Sequence, residues 1–320
     1  MKEFTHVNAT SVADAEAALA QYGSRAKIIA GGTDLIGLLK LRALRTQPEC
    51  LINLKTIQDL DYIDEDSSGL KLGALTRLHD IAVSPVVTAK YPALAAAARA
   101  VASWQIRSMG TIGGNICQET RCWYYRSSWN KFDCLRKGGS TCYAVTGNNH
   151  EHSIFGHASN CFAAHPSDTA PALVALDASI KTNKRTVAAT SFFDGFKGTT
   201  LAADEFVVSI QVPTPAAGSK QGFAKASVRR AIDFAIVNAA CLITPASGNI
   251  TSARVVVSAA SPVPLRVAKV EDALVGKTLS EATVVAAAEE VVNMPTFLPL
   301  PLNGHKVQVA KGVIKRALLA

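Results

Sequence analysis

Residues 111–168 constrain this chain more than any other stretch. They open with a glycine turn, Thr111-Ile-Gly-Gly-Asn115, and close with His165-Pro-Ser-Asp168 at the start of an apolar helical run. Between them lie Cys117, Cys122, Cys134, Cys142 and Cys161, five of the chain's seven cysteines, together with Trp123, Tyr124, Tyr125, Trp129 and Tyr143. Thiols and polar-tipped aromatics at this density describe a purpose-built loop and not a regular helix or strand. Upstream, Ala30-Gly-Gly-Thr-Asp34 repeats the glycine turn. A glycine pair after a strand and before a helix lets the backbone approach a pyrophosphate and aim amide N–H groups at it, and Thr33 adds a hydroxyl. Neither turn is a G-x-G-x-x-G fingerprint or a P-loop, so each by itself reads more readily as an ordinary tight turn.

The cysteine spacings exclude the commonest metal motifs. Cys117-x4-Cys122-x11-Cys134-x7-Cys142-x18-Cys161 contains no C-x2-C knuckle of the zinc-ribbon kind and misses the compact ferredoxin runs. A long loop can still bring four thiolates to the corners of a cubane, so an iron–sulfur cluster, a structural zinc and free thiols all remain open on spacing. Trp123 and Tyr124 would keep water from such a cluster. His150, His152 and His157 share the loop; histidines in a polar loop more often face solvent than ligate.

Composition narrows the class. Of 320 residues 48% are hydrophobic and 18% charged, enough for a sizeable core. The net charge of +8 is scattered, with no basic block interleaved with aromatics, so no nucleic-acid partner is read. No apolar run approaches the ~20 residues of a membrane span, and Met1-Lys-Glu-Phe-Thr5 lacks an apolar leader core. The expectation is a cytoplasmic protein, in which seven cysteines are thiols or ligands and not disulfides.

Periodicity predicts an α/β start. A helix capped by Ser11 runs to about Tyr22, a strand covers Lys27–Ala30, a helix Asp34–Arg42 and a strand Leu51–Leu54. A strand at Leu70–Ala74 follows, then a helix over Leu78–Val83 stopped by Pro85, and an Ala-rich helix from Pro92 to about Trp104. A helix at Thr169–Leu176, a hairpin turning at Asn183-Lys184 and a strand at Glu205–Val212 complete the middle. After a Pro/Gly/Ser-rich linker at 213–222, strands are expected near 223–228, 241–244 and 253–258. Helices are expected at 268–274, 281–292 and 307–319.

In order along the chain, Ile29-Ala-Gly-Gly-Thr-Asp-Leu35, Thr111-Ile-Gly-Gly-Asn-Ile116, Ser167-Asp168, Lys225 and Val228-Arg-Arg-Ala-Ile-Asp-Phe234 resemble the FAD-binding medium subunit of molybdenum hydroxylases, the xanthine dehydrogenase family. The resemblance implies an α+β fold: a two-part FAD-binding domain of PCMH/VAO type, residues 1–60 and 61–215, and a smaller C-terminal α+β domain, residues 216–320, like that of CO dehydrogenase flavoproteins. It implies that FAD contacts Ile29, Ala30, Gly31, Gly32, Thr33, Asp34 and Leu35 on one side and Thr111, Gly114 and Asn115 on the other. Ser167 and Asp168 would belong to the flavin floor, with Asp168 reaching ribityl or adenosine groups, and Lys225 would stand near the isoalloxazine. No residue of the chain is assigned a catalytic role.

The loop at about 117–161 resembles that of the 4-hydroxybenzoyl-CoA reductase β subunit, which carries an extra 4Fe–4S cluster. That likeness implies Cys122, Cys134, Cys142 and Cys161 as ligands, with Cys117 beside the flavin. Asn160-Cys-Phe-Ala-Ala-His-Pro-Ser-Asp168 also resembles the FAD subunit of periplasmic aldehyde oxidoreductases. The implied partners are a large molybdopterin subunit, a small 2Fe–2S subunit and a ferredoxin-like carrier, with a periplasmic location if a partner carries an export signal. Deleting the loop between Cys122 and Cys161 is expected to remove the cluster and spare the FAD site, if the fold closes over the gap. Two further readings stand beside this one: a FAD oxidase acting alone, and a zinc-stapled nucleotide-binding assembly protein.

Overall fold

The computed structural model describes all residues, Met1–Ala320. Its first sheet is parallel and small. β1 (Thr5–Asn8), α1 (Val12–Tyr22), β2 (Ala26–Ile29), α2 (Leu35–Leu41) and β3 (Cys50–Asn53) follow in sequence, and the strands lie in the order β1-β3-β2. Each helix is a crossover, as parallel neighbours require. The Ser11 side chain accepts from the Asp14 amide at 3.0 Å and starts α1, which buries Ala15, Ala18 and Leu19 on one face. Cys50 and Ile52 are fully buried beneath it.

The second sheet is antiparallel, in the order β4-β5-β10-β6-β7, from β4 (Ile63–Asp66), β5 (Gly69–Gly73), β6 (Ser179–Thr182), β7 (Thr186–Ala188) and β10 (Val207–Val212). After β5 the chain leaves the sheet and rejoins it only at Ser179. The excursion holds α3 (Leu78–Val83), α4 (Pro85–Lys90), α5 (Pro92–Arg99), α6 (Trp104–Arg107), α7 (Ile112–Ile116), the cysteine loop and α8 (Thr169–Ala175). Leu70, Leu72, Ile180 and Ile210 pack against Leu78, Ile81, Leu94 and Leu173 in the largest core cluster. The short α9 (Ala189–Phe192) and the pair β8 (Phe193–Asp194) and β9 (Gly198–Thr199) cap one end.

The third sheet, β11-β12-β13-β14, is antiparallel: β11 (Lys220–Ala226), β12 (Val237–Ala246), β13 (Asn249–Ser258) and β14 (Leu265–Arg266). α10 (Ala268–Leu274), α11 (Glu281–Glu289) and α12 (His305–Leu318) complete it. Both faces are covered. Ala239, Cys241 and Ile243 of β12 belong to the core formed with these helices, whereas Ala240 and Leu242 belong to the core of the second sheet. The strand period of two thus divides one strand between two cores.

Most expected elements are present, with instructive differences. Pro85 does not simply stop a helix; it opens α4, with the Ser84 side chain accepting from the Val87 amide. The Ala-rich helix ends at Arg99 and not at Trp104. Ala102 then takes a left-handed φ of 42°, and Ser103 caps a separate turn, α6. No helix is long and apolar enough to cross a membrane.

Candidate functional site

The two glycine turns face each other across a cleft of about 440 Å3. They meet backbone to backbone: a Cβ on Gly31 would sit 2.0 Å from the Met109 carbonyl oxygen, and one on Gly110 would sit 3.5 Å from the Thr33 hydroxyl. Gly32 has φ +71°. Close approach requires glycine at the first position and a left-handed turn at the second.

The turns offer different chemistry. In the first, the backbone N–H groups of Gly31, Gly32, Thr33, Asp34 and Leu35 have no acceptor in the protein. The carbonyl side is occupied, since Lys55 Nζ donates to Ala30 O at 2.9 Å. Five adjacent free donors at a helix start form an anion cradle. In the second turn the donors are used internally. Ile112 N–H donates to Thr76 O, Gly113 N–H to Ala74 O, Gly114 N–H to the Thr111 hydroxyl and Asn115 N–H to Thr111 O. What it brings to the cleft is the bare backbone of Gly114 and the Asn115 amide.

That amide is oriented from below. Ser167 Oγ accepts from the Ala170 amide and donates to Asn115 Oδ1 at 2.5 Å, while Thr169 Oγ1 lies 2.7 Å from the same oxygen. The oxygen is therefore held down, and the Asn115 NH2 group has no protein partner.

The Asp34 carboxylate is taken up by protein donors. Its oxygens take the Glu119 amide at 2.9 Å, Arg121 at 2.8 Å and Arg126. It fastens the start of α2 to the start of the cysteine loop. Asp168 and Lys225 do not line the cleft. They form a buried ion pair at 2.6 Å, with Asn238 Nδ2 donating to Asp168 at 2.6 Å and Lys225 Nζ to Ala100 O at 2.9 Å. Their polar atoms are engaged with each other, beneath Ser167 and Asn115. Burial pushes the Asp168 carboxyl up against the pull of Lys225. Cys117 lines the cleft; its thiol is reachable from that side, and the protein enclosing its other sides, with Glu119, pushes it up to about 12.

The sequence alone did not mark Arg121, and it placed Ile232 and Phe234 in the family-like stretch 228–234 without assigning them to the cleft. The Arg121 guanidinium lies 4.3 Å from the Phe234 ring centroid, and both line the cleft. Burial lowers Arg121 to about 10 despite Asp34. Ile232 and Phe234 are large apolar side chains left about half exposed at the cleft.

Cys122, Cys134, Cys142 and Cys161 converge on one small cavity of about 10 Å3, walled by Tyr124, Tyr125, Tyr143 and His152. The backbone explains how. Ser159 and Asn160 both take left-handed φ, 47° and 61°, between the reciprocal bonds of Ala158 and Cys161. This two-residue turn presents Cys161. A tight loop from Cys134 to Cys142, closed by Leu135 N–H to Thr141 O, presents the second pair. Backbone amides point at the sulfurs: Tyr125 and Tyr124 at Cys122, Phe162, Ala144 and Val145 at Cys142, and Ala163 at Cys161. The neighbouring Cys161 thiol draws Cys142 below the usual thiol range, and burial raises Cys122 to about 11.

No group of three or more Cys, His, Asp or Glu side chains closes on a point the size of one metal ion. Zinc would need four sulfurs about 2.3 Å from one centre. A four-iron cubane is larger than one ion and takes one thiolate at each of four corners. A set of four thiols with amides aimed at three of them fits that donor requirement.

Of the aromatics, Tyr124 and Tyr125 shield this cavity, but Trp123 is 66% exposed and does not. Of the histidines, His150 and His157 are exposed, whereas His152 is buried with Nε2 3.3 Å from Cys122 Sγ. Burial, then Lys306, lowers His152 to about 4. Between cleft and cavity lies a chamber of about 40 Å3 that shares Arg121 and Phe234 with the first and Cys122 and His152 with the second.

The description "FAD binding domain in molybdopterin dehydrogenase" matches residues 2–215. The chain belongs to the FAD-binding medium subunits of the molybdenum hydroxylase family. "CO dehydrogenase flavoprotein C-terminal domain" matches residues 223–320. Similar proteins include the aldehyde oxidoreductase FAD-binding subunit PaoB of Escherichia coli, 36% identical over 77% of this chain and 79% of that one. The carbon monoxide dehydrogenase medium chain of Hydrogenophaga pseudoflava is 30% identical over 97% and 94%. A solved structure of carbon monoxide dehydrogenase from that organism superposes with a TM-score of 0.78 at 30% identity, covering 100% of this chain and 97% of the other. As a family member the chain is an FAD-binding subunit of an oxidoreductase complex, with an FAD-binding domain followed by the C-terminal domain.

Proposed function

We propose that the chain is an electron-transfer subunit that carries a 4Fe–4S cluster beside its FAD. The observation that carries this is the convergence of Cys122, Cys134, Cys142 and Cys161 on one cavity joined to the cleft by the Arg121–His152 chamber. The anion cradle at 31–35 receives the FAD pyrophosphate, with Ile29 and Ala30 at its edge. Thr111, Gly114 and Asn115 face it, and Cys117 lies on the same wall. Ser167 fixes Asn115, and Asp168 with Lys225 holds that floor in place. FAD, when bound, supplies exchange between two-electron and one-electron steps.

In this reading residues 1–60 and 61–215 form the two parts of the FAD-binding domain, and 216–320 the C-terminal domain. The complex adds a large molybdopterin subunit and a small 2Fe–2S subunit, and a ferredoxin-like carrier meets the cysteine loop. Within the family, the 36% identity with PaoB favours an aldehyde oxidoreductase type of complex over the 4-hydroxybenzoyl-CoA reductase type. The location is cytoplasmic, or periplasmic if a partner is exported.

Metal, sulfide and flavin analysis of the purified chain tests the proposal. FAD with iron and acid-labile sulfide is expected, and Cys134→Ser is expected to lose the cluster's paramagnetic signal while keeping FAD. Zinc in place of iron, or FAD alone, would overturn it.

A further inference from the structure

His152 belongs to none of the roles above, yet its place is unusually well defined. Its carbonyl accepts from Lys306 Nζ at 3.1 Å and from Asn303 Nδ2 at 3.3 Å, so α12 and the turn before it fix the backbone. Its ring is 2% exposed, tilted against Tyr124 at 6.2 Å between centroids. One nitrogen, Nε2, is 3.3 Å from Cys122 Sγ, and the other, Nδ1, is buried without a partner. A buried orphan N–H costs more than a buried orphan lone pair. The proton therefore sits on Nε2, directed at the sulfur. Cys122 already receives the Tyr124 and Tyr125 amides, so the imidazole is a third donor to one sulfur.

We propose that His152 is a positioning residue for the cluster, donating from Nε2 to the Cys122 thiolate and thereby raising the cluster's reduction potential. The inference rests on the 4Fe–4S reading above. A ligating thiolate only accepts, so the bond is charge-assisted. Reduction adds negative charge to the cluster and its sulfurs, and a donor aimed at a sulfur stabilises that state. Removing the donor lowers the potential. A histidine present only to fill space would leave the potential where it is.

The experiment uses the assembled complex with His152→Phe, which keeps the ring volume without a donor, and His152→Gln, whose amide N–H occupies the place of Nε2. Iron and sulfide content is measured first, then the cluster's midpoint potential by a reductive titration followed by paramagnetic resonance. The expected result is a cluster in both variants, a potential shifted downward in the Phe variant and one returned toward wild type in the Gln variant. A Phe variant with unchanged potential overturns the proposal. If the Phe variant fails to hold a cluster, the Gln variant decides: a near-wild-type potential supports donation, and a lowered one overturns it. A wild-type complex without iron and sulfide at these cysteines overturns the cluster reading itself and this inference with it.

Discussion

At the scale of single residues, the cleft depends on atoms that are missing as much as on those present. Gly31 allows the first turn to touch the Met109 carbonyl, and any Cβ there falls 2.0 Å from it. Gly37, by contrast, is exposed in α2 with nothing within 4 Å of its would-be Cβ. Gly31→Ala is expected to destabilise the chain by about 1–3 kcal/mol through backbone displacement and to lose FAD on purification. Gly37→Ala is expected to gain about 0.5–1 kcal/mol from helix propensity alone, with FAD retained. Thermal melts together with flavin absorbance distinguish the two glycines. The sequence reading placed both turns at the site but treated them alike. The distinction lies in where the amides go, and the acceptors that consume those of the second turn, Thr76 and Ala74, are distant in sequence.

At the scale of elements, the hairpin of β6 and β7 shows how a carboxylate organises a turn. Glu205 accepts from the Thr182 hydroxyl at 2.7 Å, Arg185 Nε at 2.8 Å and the Ala202 amide at 2.9 Å. The Arg185 bond leads the causes that lower its carboxyl to about 2. A folded-state pKa below the unfolded value contributes stability above pH about 4.5 that is lost as pH falls toward 2. Arg185 is half exposed, so after screening the contribution is about 1–2 kcal/mol. Glu205→Gln is expected to flatten this part of the stability curve, measured by denaturant melts from pH 5 to pH 2.5; an unchanged slope would assign the acid sensitivity elsewhere.

The hairpin itself was legible because two short apolar-alternating runs flank Asn183-Lys184. β1 and β4 were not. Their burial patterns are largely exposed, and only pairing with β3 and β5 makes them strands. Nor did the sequence show that the cysteine loop is integral to the fold. It reads as an insertion, whereas Ile154 and Phe155 within it are buried in the core of the third sheet, and Ile154 and Phe155 amides both donate to Ala260 O. Removing 122–161 would take those core side chains with it, so the expected clean loss of one cofactor site does not follow.

At the scale of the whole molecule, the third sheet is bolted to the FAD-binding domain by Lys225 and Asn238 on one side and Asp168 on the other. Lys225→Met leaves Asp168 buried and unpaired, and is expected to cost about 3–5 kcal/mol at neutral pH. Burial already raises the Asp168 pKa, and loss of the ammonium raises it further. The variant should therefore regain stability as pH is lowered and the carboxyl takes up a proton. Asp168→Asn added to Lys225→Met is expected to restore most of the loss at neutral pH, because an amide can remain buried beside Asn238 without a charge. Denaturant midpoints of the single and double variants at two pH values check both statements.

Asp34 adds a consequence of another kind. Its backbone belongs to the open cradle and its side chain to the start of the cysteine loop, through Glu119, Arg121 and Arg126. An occupant of the cradle and an occupant of the loop would thus act on one carboxylate. Whatever effect one has on the affinity for the other, thermodynamic reciprocity makes it equal in both directions.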